Sequence, residues 1–328
     1  MPPPCAERGA RRLVADGTTT IARGRSAIGS APSARSGWTT HSKLVDSVPV
    51  VHAALVAIAA ASFLGAPGGP PETQTAALGN VSATINWTVS EEGGLVRNFR
   101  VAITREGQRL VDEPVTVRRC AAIGCALGPA TFPPARRAVA VVDLEGEGEP
   151  EVVVDTYTGG AHCCTVSKIW RFDGEAYSAI EHDWGNQVYR LRDFDRDGRV
   201  EFRSADDRFS YAFGSYAESR WPVQILRYRN GRMRDVTRRF PRLVRRDMRA
   251  HRRPYVRSRR TRHVSRPALA AYVADLHLLG RHQRARHIVR TALRSGELRR
   301  RHRYDIGPFG VAFVRRLNRL LRTGGYLR

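Results

Sequence analysis

Lysine is almost absent from this chain of 328 residues. Only Lys43 and Lys168 are lysine among the 55 basic side chains, a skew toward arginine that is typical of a GC-rich genome and indicates no function by itself. The composition still excludes disorder along the whole chain, because 42% hydrophobic and 26% charged residues lie near the average of globular proteins.

Acidic side chains are scarce in one segment. Residues 237–328 carry 27 basic and only 4 acidic side chains, whereas residues 67–236 carry 21 basic and 24 acidic ones. The net charge of +24 therefore lies almost entirely in the C-terminal segment, and the middle of the chain is mildly acidic. This asymmetry makes a general nucleic-acid binder unlikely and predicts two regions with different surfaces.

Long apolar runs are also scarce, since only residues 48–64 form one. Its small alanines, the preceding Lys43 and the following Gly65-Ala66-Pro67 are typical of a signal peptide, with the h-region and cleavage region at 48–66. Residues 1–47 would then be a disordered basic extension, which a misassigned start codon would explain, and 67–79 a linker. We expect a secreted or cell-envelope protein, with membrane attachment only if the signal stays uncleaved; the alternative is an alanine-rich core helix.

Cysteine is limited to five residues, and signal cleavage would remove Cys5. The four others, Cys120, Cys125, Cys163 and Cys164, predict two disulfides in an exported chain. A direct bridge between the adjacent pair would strain the peptide between them. We therefore expect either that the first pair bonds to the second or that Cys120 bonds to Cys125.

The segment 80–138 has the alternating pattern of β-strands, with Glu106-Gly107 as the turn of a hairpin. Within 139–236 an internal repeat follows: residues 143–151 recur at 193–201, and 169–174 are answered by 225–231. A period near 50 residues with about four short strands per unit is typical of a propeller blade or a similar β repeat.

The second repeat unit contains the pattern D-x-D-x-D-G-x-x-E, formed by Asp193, Asp195, Asp197 and Glu201. Alternate side chains of a tight loop point inward, and the carbonyl of Arg199 can complete a cage of oxygen atoms that suits calcium. The first unit matches more loosely through Asp143, Glu145, Glu147 and Glu151. An EF-hand is disfavoured, because Val154 and Ser204 stand where its bidentate glutamate belongs; solvated turns are the alternative.

These two loops, each between hydrophobic strands, resemble the calcium loops of the FG-GAP or VCBS repeat family, known from the β-propeller of integrin α chains. The resemblance covers residues 139–236. It implies a secreted bacterial protein with a calcium ion held between two strands of a blade, here by Asp193, Asp195, Asp197, Arg199 and Glu201. A complete ring is not expected, because a closed propeller needs at least four blades and this chain has two clear units, with the upstream hairpin as a candidate third.

The segment His162-Cys163-Cys164 concentrates chemically capable side chains. A histidine beside a cysteine can bind a soft metal or activate a thiolate. A secreted hydrolase or redox enzyme would use His162 with Cys163 or Cys164, or the nearby Asp155 and Asp183. Adjacent strand residues point to opposite faces, however, and no nucleophile-plus-base motif of recognisable spacing is present. We therefore predict no catalytic residues and keep the enzyme as the alternative function.

The C-terminal segment 237–328 predicts helices at 267–279, about 283–294 and about 308–322, as a small bundle or as a layer on the β domain. Their polar faces are nearly all arginine and histidine, which suits an anionic cell-wall polymer or a protein partner, unless the face is simply solvated. The sequence thus predicts an α+β chain: a partial, propeller-like β repeat of about two four-stranded units, then an arginine-rich helical domain. The expected function is a secreted, calcium-binding, non-enzymatic interaction protein.

Overall fold

The structure, a computed structural model, describes residues 70–91, 94–131, 137–160, 164–260, 264–300 and 305–327. The predicted basic extension, the signal segment 48–66 and the start of the linker lie outside these ranges. Within them, no helix is long and apolar enough to cross a membrane. The fold is α+β, with antiparallel sheets followed by helices.

The first sheet is an antiparallel meander of four strands, β1 (Glu72–Leu78), β2 (Val81–Val89), β3 (Val96–Arg105) and β4 (Gln108–Pro114). The predicted linker is wrong from residue 72 onward, because β1 pairs along its whole length with β2. The predicted turn is confirmed: Glu106 and Gly107 join β3 to β4 with φ angles of 53° and 82°. A short helix, α1 (Arg118–Ile123), follows.

The second and third sheets contain the repeated segments. The second has five strands: β5 (Gly128–Pro129), β6 (Val139–Val142), β7 (Glu151–Tyr157), β8 (Thr165–Phe172) and β9 (Tyr177–Gly185). The third has four: β10 (Arg190–Arg192), β11 (Glu201–Ala205), β12 (Val223–Arg229) and β13 (Arg232–Asp235). Strands β6 to β9 and β10 to β13 each pair in chain order as an antiparallel meander, and β5 pairs with the far end of β7.

The three sheets are stacked in chain order. Alternate residues of a strand point to opposite faces of its sheet, so one strand can pack on two neighbouring sheets. On β7, Val152 and Val154 pack with the first sheet, while Val153 packs with Phe202 of the third. On β12, Leu226 again faces the second sheet, whereas Val223 and Ile225 pack with residues of the helical segment. Both faces of the central sheet are therefore buried.

In the described part of the chain, four longer helices follow the third sheet: α2 (Pro241–Arg260), α3 (Arg266–Leu278), α4 (His282–Arg294) and α5 (Gly310–Thr323). The last three confirm the predicted helices to within two residues. The helices form a layer on the β region, since Val244 of α2 packs on Ile225 of β12. The connection between β11 and β12 also inserts Phe209 and Phe213 into the helical core.

Helix α2 was not predicted, although it is the longest helix among the described residues. Its buried positions, Val244, Met248, His251 and Tyr255, follow helical spacing, but arginines surround them. The helix forms because this narrow stripe packs between the third sheet and α3, where α3 is buried along nearly its whole length.

Candidate functional site

The two acidic loops occupy the same place in the second and third sheets. Residues 143–150 connect β6 to β7, and residues 193–200 connect β10 to β11, so each loop joins the first two strands of a meander. Both loops lie between strands, which agrees with the argument against an EF-hand.

The loops also share one hydrogen-bond pattern at an offset of 50 residues. In each loop the first aspartate accepts three backbone N–H bonds, two at Oδ1 and one at Oδ2. The donors are Gly146 (2.7 Å), Glu147 (3.1 Å) and Gly148 (2.8 Å) for Asp143, and Arg196 (2.6 Å), Asp197 (3.2 Å) and Gly198 (2.9 Å) for Asp193. Each aspartate therefore fixes its own turn, as an Asx turn does.

A glutamate closes each loop from the following strand. Glu151 Oε2 accepts the backbone N–H of Leu144 at 2.9 Å, and Glu201 Oε2 accepts that of Phe194 at 2.9 Å. Both glutamates are buried, with 2% and 0% of their surface exposed. The two loops thus share the hydrogen bonds of the turn and those of the closing glutamate.

The second loop brings its carboxylates together. One oxygen from each of Asp193, Asp195 and Asp197 lies within 4.8 Å of the other two. Gly198 has a φ angle of 83°, which the sharp turn requires and which glycine adopts without strain. Arg199, whose carbonyl the sequence assigned to the cage, donates its backbone N–H to Asp197 at 3.1 Å.

Arg227 on β12 lies over this carboxylate group. Its guanidinium bonds to Asp197 at 2.9 Å, contacts Asp195 at 3.3 Å and forms a close ion pair with Glu201. Arg239 approaches Asp195 and Asp197 from the solvent side at 3.6 and 3.7 Å. Arg227 was not predicted from the sequence, because its approach depends on the pairing of β11 with β12.

The pKa values in this loop follow from burial and from Arg227. Burial raises the pKa of Glu201, although the N–H of Phe194 and the guanidinium of Arg227 oppose the rise. Burial acts in the same direction on Asp197, but there the bonds from Arg227 and from the Arg199 N–H prevail, so the pKa is lowered. Asp197 is therefore ionised at neutral pH.

The first loop places its acidic side chains apart. Glu145 turns away to accept the N–H of Asn230 at 2.9 Å and to approach Arg171 at 3.7 Å, and Glu147 is exposed. Burial, reinforced by the nearby charges of Glu145 and Asp143, raises the pKa of Glu151 to about 7. In the described ranges, the only group of three converging carboxylates in either loop is that of the second loop.

The two loops lie against each other. The Arg199 Nε donates to the carbonyl of Glu145 at 3.2 Å, and a Cβ added to Gly146 would lie 2.5 Å from the carbonyl oxygen of Gly198. A bound cation in the second loop would therefore also fix the first loop.

The donor set of the second loop fits calcium. Carboxylate oxygens in a glycine-containing turn are the ligands that this hard cation prefers. Four carboxylates, those of Asp193, Asp195, Asp197 and Glu201, face the two guanidinium groups of Arg227 and Arg239, so acidic groups outnumber basic ones here. A divalent cation would offset this excess.

The cysteines settle part of the disulfide prediction. Cys120 bonds to Cys125, with the Cα atoms 5.0 Å apart, as one of the two expected pairings required. Because Cys120 and Cys125 bond to each other, the predicted bonding of the first cysteine pair to the second is wrong. Cys164 is also disulfide-bonded. His162 and Cys163 lie outside the described residues.

Three residues of the enzyme that the sequence kept as an alternative, Cys164, Asp155 and Asp183, lie among the described residues. Cys164 is no free thiol, because it is in a disulfide. Asp183 pairs with Arg119 at 2.8 Å, whereas Asp155 accepts the hydroxyl of Tyr189 at 2.8 Å and that of Ser167. The two aspartates thus belong to separate hydrogen-bond groups.

A second group of possible ligands lies in the helical layer, where the sequence predicted only a polar face. His251 is buried beside Asp247 and Asp275. The sequence carried one signal for this group. Acidic residues are rare in the segment 237–328, so the few that occur there were candidates for a specific role.

Comparison with known proteins gives two partial similarities. No family model and no solved structure matches the chain. It is 41% identical over 91 residues to the uncharacterized protein y4bJ of Sinorhizobium fredii, covering 27% of this chain and 14% of that protein. It is 35% identical over 101 residues to the probable thylakoid lumen protein sll0997 of Synechocystis, covering 30% of each chain. The chain thus spans less than a third of the length of either relative.

Proposed function

We propose that this protein is an extracytoplasmic, non-enzymatic interaction protein whose second acidic loop binds calcium and whose arginine-rich helices contact an anionic partner. The observation that carries the proposal is the convergence of Asp193, Asp195 and Asp197 within 4.8 Å, on a turn that the chain repeats 50 residues earlier. Calcium is a structural ion here, because it holds together the ends of paired strands.

The β region is, on this proposal, a partial propeller of the FG-GAP or VCBS type. Two features support it: each acidic loop joins the first two strands of a four-stranded meander, and three meanders stack face to face in chain order. The upstream hairpin region supplies the third unit. The helical layer covers the outer face of the last sheet, where a closed propeller would place its next blade.

An extracytoplasmic location is supported by three observations. The apolar segment 48–64 has the composition of a signal peptide. Cys120, Cys125 and Cys164 are in disulfides, which persist in oxidising compartments. One relative, over 30% of its length, is named a probable thylakoid lumen protein.

The helical layer offers a surface for an anionic partner. The arginines of α2, α4 and α5 are almost all exposed. Between α2, α3 and α4 lies a cavity of about 290 Å³, lined by Arg252, Arg259, Arg284, His287 and Tyr255, among others. Guanidinium groups around an aromatic side chain suit a phosphate- or carboxylate-bearing polymer.

Calorimetric titration of calcium into the full chain tests the cation site. We expect saturable binding to wild type and a loss of at least about tenfold in affinity for Asp197→Asn, which removes a donor but leaves the turn made by Asp193. The matched control is Glu147→Gln at the same position of the first loop, which should bind as wild type does. A folded wild type without calcium binding, or equal binding by Asp197→Asn, would refute the site.

Binding of polyphosphate to the full chain tests the basic surface separately. We expect an affinity that falls steeply with salt and that decreases in an Arg252→Gln, Arg284→Gln double variant. An Arg192→Gln variant, on strand β10 of the third sheet, serves as the control for loss of charge alone. An equal loss of polyphosphate affinity in both variants would mean that binding depends only on nonspecific charge.

A further inference from the structure

The arginine-rich segment 237–328 contains only four acidic residues, and two of them meet inside the helical layer. Asp247 on α2 and Asp275 on α3 both approach His251, one turn after Asp247 on the same helix. In the part of the chain that the structure describes, neither carboxylate forms an ion pair with an arginine. The two carboxylates thus contact a histidine, although the segment around them is rich in arginine.

The three side chains present a compact set of ligand atoms. Nδ1 of His251 is 2.8 Å from Oδ2 of Asp275 and 3.7 Å from Oδ2 of Asp247, and one ligand atom of each residue lies within 4.8 Å of the others. The carboxylate of Asp247 is held in place by the backbone N–H of Val223, at 2.7 Å. The group therefore joins α2, α3 and the first residue of β12.

One ligand atom is left without a partner. Among the described residues, Oδ1 of Asp275 accepts no hydrogen bond, although the residue is fully buried. A buried carboxylate oxygen without a partner is rare in proteins and calls for an explanation such as a bound ion. One carboxylate oxygen of Asp275 is therefore available to a cation beside His251.

We propose that Asp247, His251 and Asp275 bind a first-row transition-metal dication of the Zn²⁺ type. One imidazole nitrogen and two carboxylate oxygens form a donor set that such ions accept, whereas calcium prefers oxygen ligands alone. The ion takes the place of the proton between Nδ1 of His251 and the Asp275 carboxylate, and binding releases that proton to solvent. Asp247, with 21% of its side chain exposed, provides the route of entry.

His277 and His282, whose Nδ1 atoms lie 2.8 Å apart near the end of α3, are competing candidate ligands. They provide two nitrogen atoms, and neither belongs to a group of three possible ligands among the described residues. The acidic loop 193–201 is the other competitor. An experiment must therefore separate three sites.

Titration of Zn²⁺ into the full chain after treatment with a chelator, with Co²⁺ absorption as a second readout, tests the proposal. We expect one equivalent to bind at this site, with an affinity at least about tenfold lower in Asp247→Asn and in His251→Gln. The visible Co²⁺ bands of a site with a nitrogen ligand should disappear in both variants. His282→Gln and Asp197→Asn are the controls, and both should keep this binding and its Co²⁺ spectrum.

Asp247→Asn is the decisive variant, because the partly exposed position and the conserved shape of the side chain favour a folded protein. Circular dichroism and a metal-free melt establish that it is folded. Absence of Zn²⁺ binding by folded wild type would overturn the proposal. The proposal would also be overturned if Asp247→Asn kept Zn²⁺ binding while His282→Gln or Asp197→Asn lost it.

Discussion

Glu201 on β11 lies directly opposite Arg227 on β12, and the two side chains form an ion pair in which neither residue exposes more than 4% of its surface. This pair connects the second acidic loop to the sheet. It also supplies the guanidinium that balances part of the charge of Asp195 and Asp197. Loop and sheet are therefore coupled through one side chain.

Removal of Arg227 should be costly in the absence of calcium. Arg227→Gln leaves Glu201 buried without its partner, and we expect a loss of about 3–5 kcal/mol in the free energy of unfolding. Calcium should restore part of this loss, because it supplies the missing positive charge. Urea unfolding with and without calcium measures both effects.

The repeat provides a control for this variant. Val152 pairs with Trp170 in the second sheet, and Phe202 pairs with Leu226 in the third. Arg171 and Arg227 are the next residues after Trp170 and Leu226, so Arg171 is the equivalent of Arg227 in the second sheet. Its side chain is 36% exposed and lies 3.7 Å from Glu145, so Arg171→Gln should cost about 1 kcal/mol or less. Equal losses for the two variants would show that the Glu201 pair has no special role.

The two turns should respond equally to loss of their first aspartate. Asp143→Ala and Asp193→Ala each remove an acceptor of three backbone N–H groups, and each should lower the free energy of unfolding by about 1–3 kcal/mol without calcium. With calcium, Asp193→Ala should lose more stability than Asp143→Ala, since only Asp193→Ala also loses a cation ligand. Thermal melts in both conditions measure the two losses, and equal losses in the presence of calcium would contradict the assignment of calcium to the second loop.

The contact between the loops predicts unequal effects of alanine at two nearby glycines. Gly146 and Gly148 have φ angles of 71° and 86°, so alanine is strained at either position. A Cβ at Gly146 would also lie 2.5 Å from the carbonyl oxygen of Gly198, whereas a Cβ at Gly148 would have no described atom within 4 Å apart from its own residue and the two chain neighbours. Gly146→Ala should therefore cost about 1–3 kcal/mol more than Gly148→Ala. Chemical denaturation compares them, and similar midpoints would mean that the loops separate easily.

Sequence reasoning succeeded where the pattern is local. Alternation and turn chemistry predicted the Glu106-Gly107 hairpin, and helical spacing predicted α3, α4 and α5. Strand β1 was missed because its small and polar residues, 72–78, become a strand only by pairing with β2. Helix α2 was missed because its buried stripe is narrow and surrounded by arginine.

The candidate sites were predictable only in part, for the same reason. The carboxylates of the second loop are close in sequence, so their spacing revealed them. Arg227 reaches them through strand pairing, and Asp275 reaches His251 through helix packing. Both contacts depend on tertiary structure, which a single sequence does not display.

Asp155 predicts a dependence of stability on pH. Its carboxylate, partly buried between the second and third sheets, accepts the hydroxyl groups of Ser167 and of Tyr189, the latter at 2.8 Å. Burial raises its pKa from 3.8 to about 6, against the opposing effect of these two hydrogen bonds. Because the folded pKa exceeds the unfolded one, the native state binds more protons between these values. The contribution of Asp155 to stability is therefore full below pH 3.8 and is lost as the pH rises through about 6.

Comparison of wild type with Asp155→Asn isolates this effect, since the amide does not titrate. From pH 4 to pH 7, wild type should lose at most about 3 kcal/mol of unfolding free energy relative to the variant, and less to the extent that water reaches the carboxylate. Tyr189→Phe adds a second test: it removes a hydrogen bond that favours the ionised form, so the carboxyl pKa observed by NMR should rise. Parallel stability curves for wild type and Asp155→Asn across this range would mean that the carboxylate is hydrated in solution and that its pKa is not raised by burial.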